Sequence, residues 1–177
     1  MARRVAIKNT EIGLIVRGMQ SPWDDPSVLA QHADCILPNG FPIGFFGQGP
    51  VRTGESVGSG SSLSSGINMH GVVFDHAAMA AQRPFYIDAK QAKATGVVST
   101  VLIFDVGAKN AAQFAQYWKS KKRSPGGFSL LGNNCSTNAS EGFMAAQVVG
   151  EGIPGLDTPA KLLRQLLASR PKNSVAT

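Results

Sequence analysis

Cys135 and His32 are the residues whose types suit covalent chemistry in this sequence. Cys135 follows Gly132-Asn133-Asn134 and precedes a run, Ser136 to Val149, that reads as a helix stopping at Gly150. A cysteine in the first turn of a helix feels the positive end of the helix dipole and unpaired backbone N–H groups. Both favour the thiolate and lower its pKa, which makes the sulfur a nucleophile. The same N–H groups would stabilise an oxyanion on an attacked carbonyl. A small residue that merely packs there explains the position equally well, and position alone does not choose.

A thiol nucleophile needs a base, and histidine is the usual one. His32 precedes Cys135 by about a hundred residues and opens an apolar run, so a strand-start histidine facing a helix N-terminus would suit the role. His70 and His76 flank the short strand Val72–Phe74 and compete with it. Cys35 lies three positions after His32, and strand alternation puts it on the opposite face, in the core. Two cysteines are too few for a disulfide framework or a cysteine-only zinc site, and no histidine pair has the close spacing of a known metal motif. No cofactor is expected. Gly54-Glu55-Ser56-Val57-Gly58 fits the serine-hydrolase elbow pattern, but that pattern needs a strand before it and a helix after it. Here Gly-Pro precedes and Gly-Ser-Gly-Ser-Ser follows.

The elements that must position these residues come from a chain of 177 residues, 43% hydrophobic and 16% charged, which suits one domain, 1–177, with a buried core. No run approaches the roughly 18 apolar residues that span a bilayer. After Met-Ala-Arg-Arg the chain breaks into polar residues, so no signal peptide is read and a cytoplasmic location in the producing cell is expected. There are 17 Lys+Arg against 11 Asp+Glu, a formal charge of +6. Such a balance favours anionic partners: nucleic acid, an anionic membrane or an acidic wall polymer. The cluster Lys119 to Arg123 reads first as a solvated loop after a helix. No aromatic residues interleave with it in a nucleic-acid-binding pattern, so no specific nucleic-acid partner is expected.

Short strands are predicted at Arg4–Ile7 and Ile12–Arg17, with a short helical stretch ending near Ala30. Asn39-Gly40 between the apolar runs His32–Leu37 and Phe41–Phe46 predicts a hairpin. Residues 47–66, rich in Gly and Ser, read as a long loop. Pro84–Lys93 is ambiguous, and Val97–Val106 is the clearest strand, rich in β-branched residues. Asn110–Lys119 reads as a helix, and Phe128–Leu131 leads into the Cys135 turn. Thr158 or Asp157 caps a last helix, about 158–169, with Pro159 in its first turn. Strands first and helices later suggest an α+β fold.

At this point the residues resemble a family. His32-Ala33, the Asn-Gly turn and Ile43-Gly44-Phe45-Phe46-Gly47 look like the His-Ala hairpin of permuted papain-like hydrolases. Phe128-Ser129-Leu130-Leu131-Gly132-Asn133-Asn134-Cys135-Ser136 looks like that group's apolar, Asn-Cys helix start. The group comprises circularly permuted relatives of NlpC-like cell-wall peptidases. It includes lecithin:retinol acyltransferase-like enzymes and small toxins delivered by bacterial secretion systems. The resemblance covers about residues 30–150. It implies an antiparallel sheet packed against helices, with the nucleophile at a helix N-terminus. Cys135 would attack an amide, ester or thioester carbonyl, and His32 would take the thiol proton and return one to the leaving group. The group usually adds a polar residue on the second hairpin strand to orient the histidine. By spacing that place falls near Gly44, which has no side chain. Gln48 just beyond it is the preferred substitute, with Asp75 and Asp34 as the others.

The resemblance therefore implies a cysteine amidase or endopeptidase, with bacterial peptidoglycan peptides as the first substrate class. Without a signal peptide such an enzyme would suit a type VI secretion cargo toxin, matched in the producer by an immunity protein. Two other readings stand beside it. One is a lipid-directed acyltransferase or thioesterase touching membrane through its basic face and Phe41–Phe46. The other is a non-catalytic binding module with a structural Cys135.

Overall fold

A computed structural model describes residues 5–19, 21, 23–24, 31–50, 68–82, 94, 96, 99–130, 132–152, 158–169 and 173–176. The helical stretch expected before Ala30, the Gly-x-Ser-x-Gly segment and Pro84–Lys93 lie outside the described residues. Among the described residues seven strands form one sheet: β1 (Glu11–Arg17), β2 (His32–Ile36), β3 (Pro42–Pro50), β4 (Asn68–Phe74), β5 (Ser99–Asp105), β6 (Gly127–Ser129) and β7 (Asn173–Ala176). Their order is β6-β4-β3-β2-β1-β5-β7, and each neighbouring pair is antiparallel. Among the same described residues four helices accompany them: α1 (His76–Gln82), α2 (Gly107–Arg123), α3 (Cys135–Ala145) and α4 (Pro159–Ala168). The architecture is α+β.

Strand alternation sends Leu14, Val16, Ala33, Cys35, Phe45 and Leu102 to one face. There they pack with Phe114 and Trp118 of α2, Phe143 of α3 and Leu163 of α4 in the main core. The other face carries two smaller clusters, one around Ile15, Ile36 and Ile103 and one joining Phe46 and Phe74 to Met79 of α1. Both faces of β1 are covered, and all seven of its residues are buried.

The Asn39-Gly40 turn forms as expected, with Gly40 at φ 81° and its N–H on Leu37 O at 2.7 Å. Residues 47–50, expected to be loop, instead extend β3 alongside β4. Gly47 permits this: a Cβ there would stand 2.6 Å from Met69 Cε, so only a bare backbone fits between Met69 and Phe128. The basic run at 119–123 is also not a loop. It is the last turn of α2, where Lys121, Lys122 and Arg123 face the negative end of the helix dipole. Lys122 pairs with Asp75, and Lys121 Nζ lies 4.8 Å from the centre of the Phe45 ring. Helix α3 ends at Ala145, before Val149, because Gln147 turns into the left-handed region at φ 58° and Val148 N–H closes on Phe143 O. Thr158 caps α4 through Lys161 N–H, with Pro159 next, as its sequence implies.

Candidate active site

The turn before Cys135 is held by asparagines. Asn134 is the N-cap of α3, and its side-chain oxygen accepts from Ser136 N–H at 2.9 Å and Thr137 N–H at 3.0 Å. Its amide nitrogen reaches back to Leu130 O at 3.0 Å. Asn133 donates to Gly127 O on β6, and the buried Asn138 donates to both Asn133 Oδ1 and Asn134 O. Glycine at 132 takes φ 103°. These bonds explain Gly-Asn-Asn locally: the glycine makes the left-handed step and the asparagines satisfy the turn and the helix start.

Cys135 is the first residue of α3 and only 7% exposed. Two of the first-turn N–H groups, those of Ser136 and Thr137, are taken by the Asn134 cap and so are not open to an oxyanion. Burial pushes the thiol up, but the His32 imidazolium and its hydrogen bond, the Ala33 backbone N–H and the Ser136 hydroxyl together hold its pKa below the ordinary 9.0. His32 opens β2, and a side-chain hydrogen bond joins it to Cys135. Its ring stacks on Phe46 with centroids 4.2 Å apart.

His32 Nε2 donates to Asp34 Oδ1 at 2.7 Å. Burial works against the imidazolium, yet Asp34 and Cys135 raise its pKa from 6.5 to about 10. Asp34 is fully buried. Burial alone would raise its carboxyl, but His32 and Arg17 hold it below the ordinary carboxylate range. Arg17 Nε donates to Asp34 Oδ2 at 2.9 Å, and an Arg17 terminal nitrogen reaches Ser99 Oγ at 3.4 Å. Gly44 stands opposite Asp34 in the β2–β3 ladder and leaves the carboxylate its room.

The histidine on the thiol is thus His32. His70 lies exposed on β4, and His76 begins α1 with its ring 4.5 Å from that of Phe41. Cys35 is fully buried on the core face, and burial keeps its thiol well above the ordinary value. Both cysteines are free. The orienting place, for which Gln48 was preferred, is held by Asp34. Gln48 is exposed on β3, two residues beyond Phe46 and paired in register with His70. Asp75 is engaged elsewhere, bonding Lys122 and the Ala78 N–H of α1. Arg17 was not anticipated. Its signal was a lone charge ending an apolar strand beside an acid embedded in another apolar strand, two charges that need each other when buried. Among the described residues no group of three or more His, Cys, Asp or Glu is arranged to hold a metal.

An acidified thiol, an imidazolium that can return a proton and a fixed carboxylate behind it can together perform nucleophilic acyl transfer. Comparison with protein-family models, curated proteins and solved structures gives no match.

Proposed function

We propose that the protein is a papain-like thiol hydrolase of the permuted type, cleaving amide bonds in bacterial peptidoglycan peptides. The observation that carries this is the hydrogen-bonded series Cys135–His32–Asp34 with the sulfur at a helix N-terminus. In the reaction the Cys135 thiolate forms a bond to the carbonyl carbon, and the carbonyl electron pair moves to oxygen. The N–H of Cys135 receives that oxyanion. As the C–N bond breaks, the His32 imidazolium gives its proton to the departing nitrogen. Water then gives a proton to His32 and attacks the thioester, and the thiolate leaves. Asp34 holds the ring in position throughout.

The +6 charge supports an anionic polymer as the surrounding substrate. The family resemblance supports a toxin delivered to a neighbouring cell and restrained in the producer by an immunity protein. The lipid-directed reading loses its apolar footing, because Ile43, Phe45 and Phe46 are buried in the sheet.

The test is digestion of purified peptidoglycan by the parent and by Cys135→Ala, read by chromatography and mass spectrometry of released peptides. New peptide ends from the parent alone are expected, and equal, null digestion by both overturns the proposal. Targeted to the periplasm of a bacterium, the parent is expected to lyse cells and the variant to leave them intact.

A further inference from the structure

We infer that Arg17 is a positioning residue of this site, a buried cation that balances the charges of Cys135, His32 and Asp34 and thereby keeps the thiol ionised. The inference rests on the thiol–imidazole reading above, but not on the substrate proposed there.

The geometry comes first. Arg17 is the last residue of β1, the strand between β2 and β5. It stands in register with His32 on one side and Ser99 on the other. Its Nε takes one Asp34 oxygen, which leaves the other to His32. The carboxylate is therefore fixed by both oxygens, and its direction toward the imidazole is set from behind.

The charges follow. Arg17 is 5% exposed, Asp34 0% and Cys135 7%, so these groups share little solvent. Two cations and two anions make a neutral set. A buried set with net charge is costly, and the usual response is to take up or lose a proton. Without Arg17 the set would carry one excess negative charge. Asp34 retains the His32 proton, so the uptake falls on Cys135 and the thiolate becomes a thiol. Removing Asp34 as well leaves the Cys135–His32 pair neutral again. Loss of Arg17 should therefore be repaired by loss of Asp34, which a purely structural arginine would not predict.

Other groups near the set do not change this count. β3 presents Phe46 and Gly44, and β5 presents Ser99. Cys35, on the core face of β2, couples to Asp34 and Cys135 and is kept neutral by burial. Tyr117 of α2 and Glu141 of α3, further behind, hydrogen-bond to each other. Lys121 of α2 feels Glu141 and lies over Phe45.

The experiment measures the rate of Cys135 alkylation by iodoacetamide from acid to alkaline pH, with the modified peptide identified by mass spectrometry. Parent, Arg17→Lys, Arg17→Met and Arg17→Met/Asp34→Asn are compared, each checked for folding by circular dichroism. At neutral pH Arg17→Met is expected to react about tenfold more slowly, its profile displaced by about one pH unit or more. Arg17→Lys is expected to stay close to the parent, and the double variant to regain most of the lost rate. A folded Arg17→Met with the parent's profile overturns the inference, as does a double variant no faster than Arg17→Met. If Arg17→Met does not fold, the double variant is compared with Asp34→Asn. Rates within about threefold at neutral pH support action through Asp34, and a tenfold fall overturns it. Alkylation needs no substrate, so a displaced profile holds even if the parent leaves peptidoglycan intact.

Discussion

Asp34 and Gly44 face each other across the β2–β3 ladder, and the carboxylate occupies the space a side chain on the glycine would need. A Cβ on Gly44 would stand 2.0 Å from Asp34 Oδ1, the atom that holds His32. The second hairpin strand lacks a polar orienting residue because the first strand supplies one across the ladder. Gly44→Ala should therefore act on the site as well as on packing. The methyl must push away a carboxylate pinned by His32 and Arg17. Stability is expected to fall by about 1–3 kcal/mol. Hydrolysis should fall more than tenfold in protein still folded, measured by urea unfolding beside peptide release. Full activity would show that Asp34 does not orient the imidazole.

Asp34→Asn keeps the shape and removes the charge. The amide can present its oxygen to only one neighbour, and the imidazolium loses its anion. On the precedent of triads that lose their acid, turnover is expected to fall by a factor on the order of 10² to 10⁴. The alkaline limit of the remaining activity should move below the parent's.

The parent's own pH profile follows from the two partners. Hydrolysis is expected to rise as Cys135 ionises below the ordinary 9.0, and to fall near pH 10 as His32 loses the proton that the leaving nitrogen needs, whereas alkylation of the thiolate stays high. Stability gives an independent check. His32, with its folded pKa raised, contributes fully below 6.5 and loses that contribution as pH rises through about 10. Cys135, with its folded pKa lowered, contributes above 9.0 and loses it as pH falls through its folded value. In the part of the range 6.5 to 9.0 that lies above the folded pKa of Cys135, the folded pair and the unfolded chain each hold one proton, so the parent's stability should be nearly flat there. Cys135→Ala removes one side of that balance. Its stability should decline through the interval, by up to about 1.4 kcal/mol per pH unit, measured by chemical denaturation at stepped pH.

The two cysteines should separate cleanly by labelling. Cys35 is fully buried with a raised pKa, while Cys135 is acidified at the helix start. One equivalent of iodoacetamide is expected to enter the native chain, at Cys135, and two in denaturant. Native labelling at Cys35 would contradict the burial on which the core face of β2 depends.

Asn134→Ala removes the cap of α3. The loss of a side-chain cap costs about 1 kcal/mol. It also frees the turn that carries Cys135, so thiol reactivity at neutral pH should fall with stability. An unchanged reactivity would detach the cap from the site.

Much of the site's placement could be read from local pattern. The Asn-Gly turn announced the β2–β3 hairpin, β-branched residues announced β5, and Thr158-Pro159 announced α4. Cys135 at a helix start follows from the Gly-Asn-Asn turn before a helical run, and Cys35 on the core face from strand alternation. Arg17 escaped because its partner is 17 residues away on a neighbouring strand, and no local period records such a pairing. The sequence favours Gln48 over Asp34, since only the ladder register shows that Gly44 opens the space. Residues 47–50 resembled loop because their glycines signal flexibility, whereas Gly47 serves the close approach of Met69. The last turn of α2 resembles solvated coil because its lysines find their partners, Asp75 and the Phe45 ring, far off in the chain.

The position of β1 has a consequence for how the protein comes to life on the ribosome. Arg17 and the His32 hairpin lie close together in the sequence, so the charged row can assemble soon after both are made. The strand on the other flank of β1 lies 82 residues downstream, at Ser99, and the sulfur comes later still. Long-range pairing of this kind closes slowly. The nascent chain therefore carries its imidazole and carboxylate about a hundred residues before the sulfur proposed to act with them, and that series cannot close until Cys135 has been made.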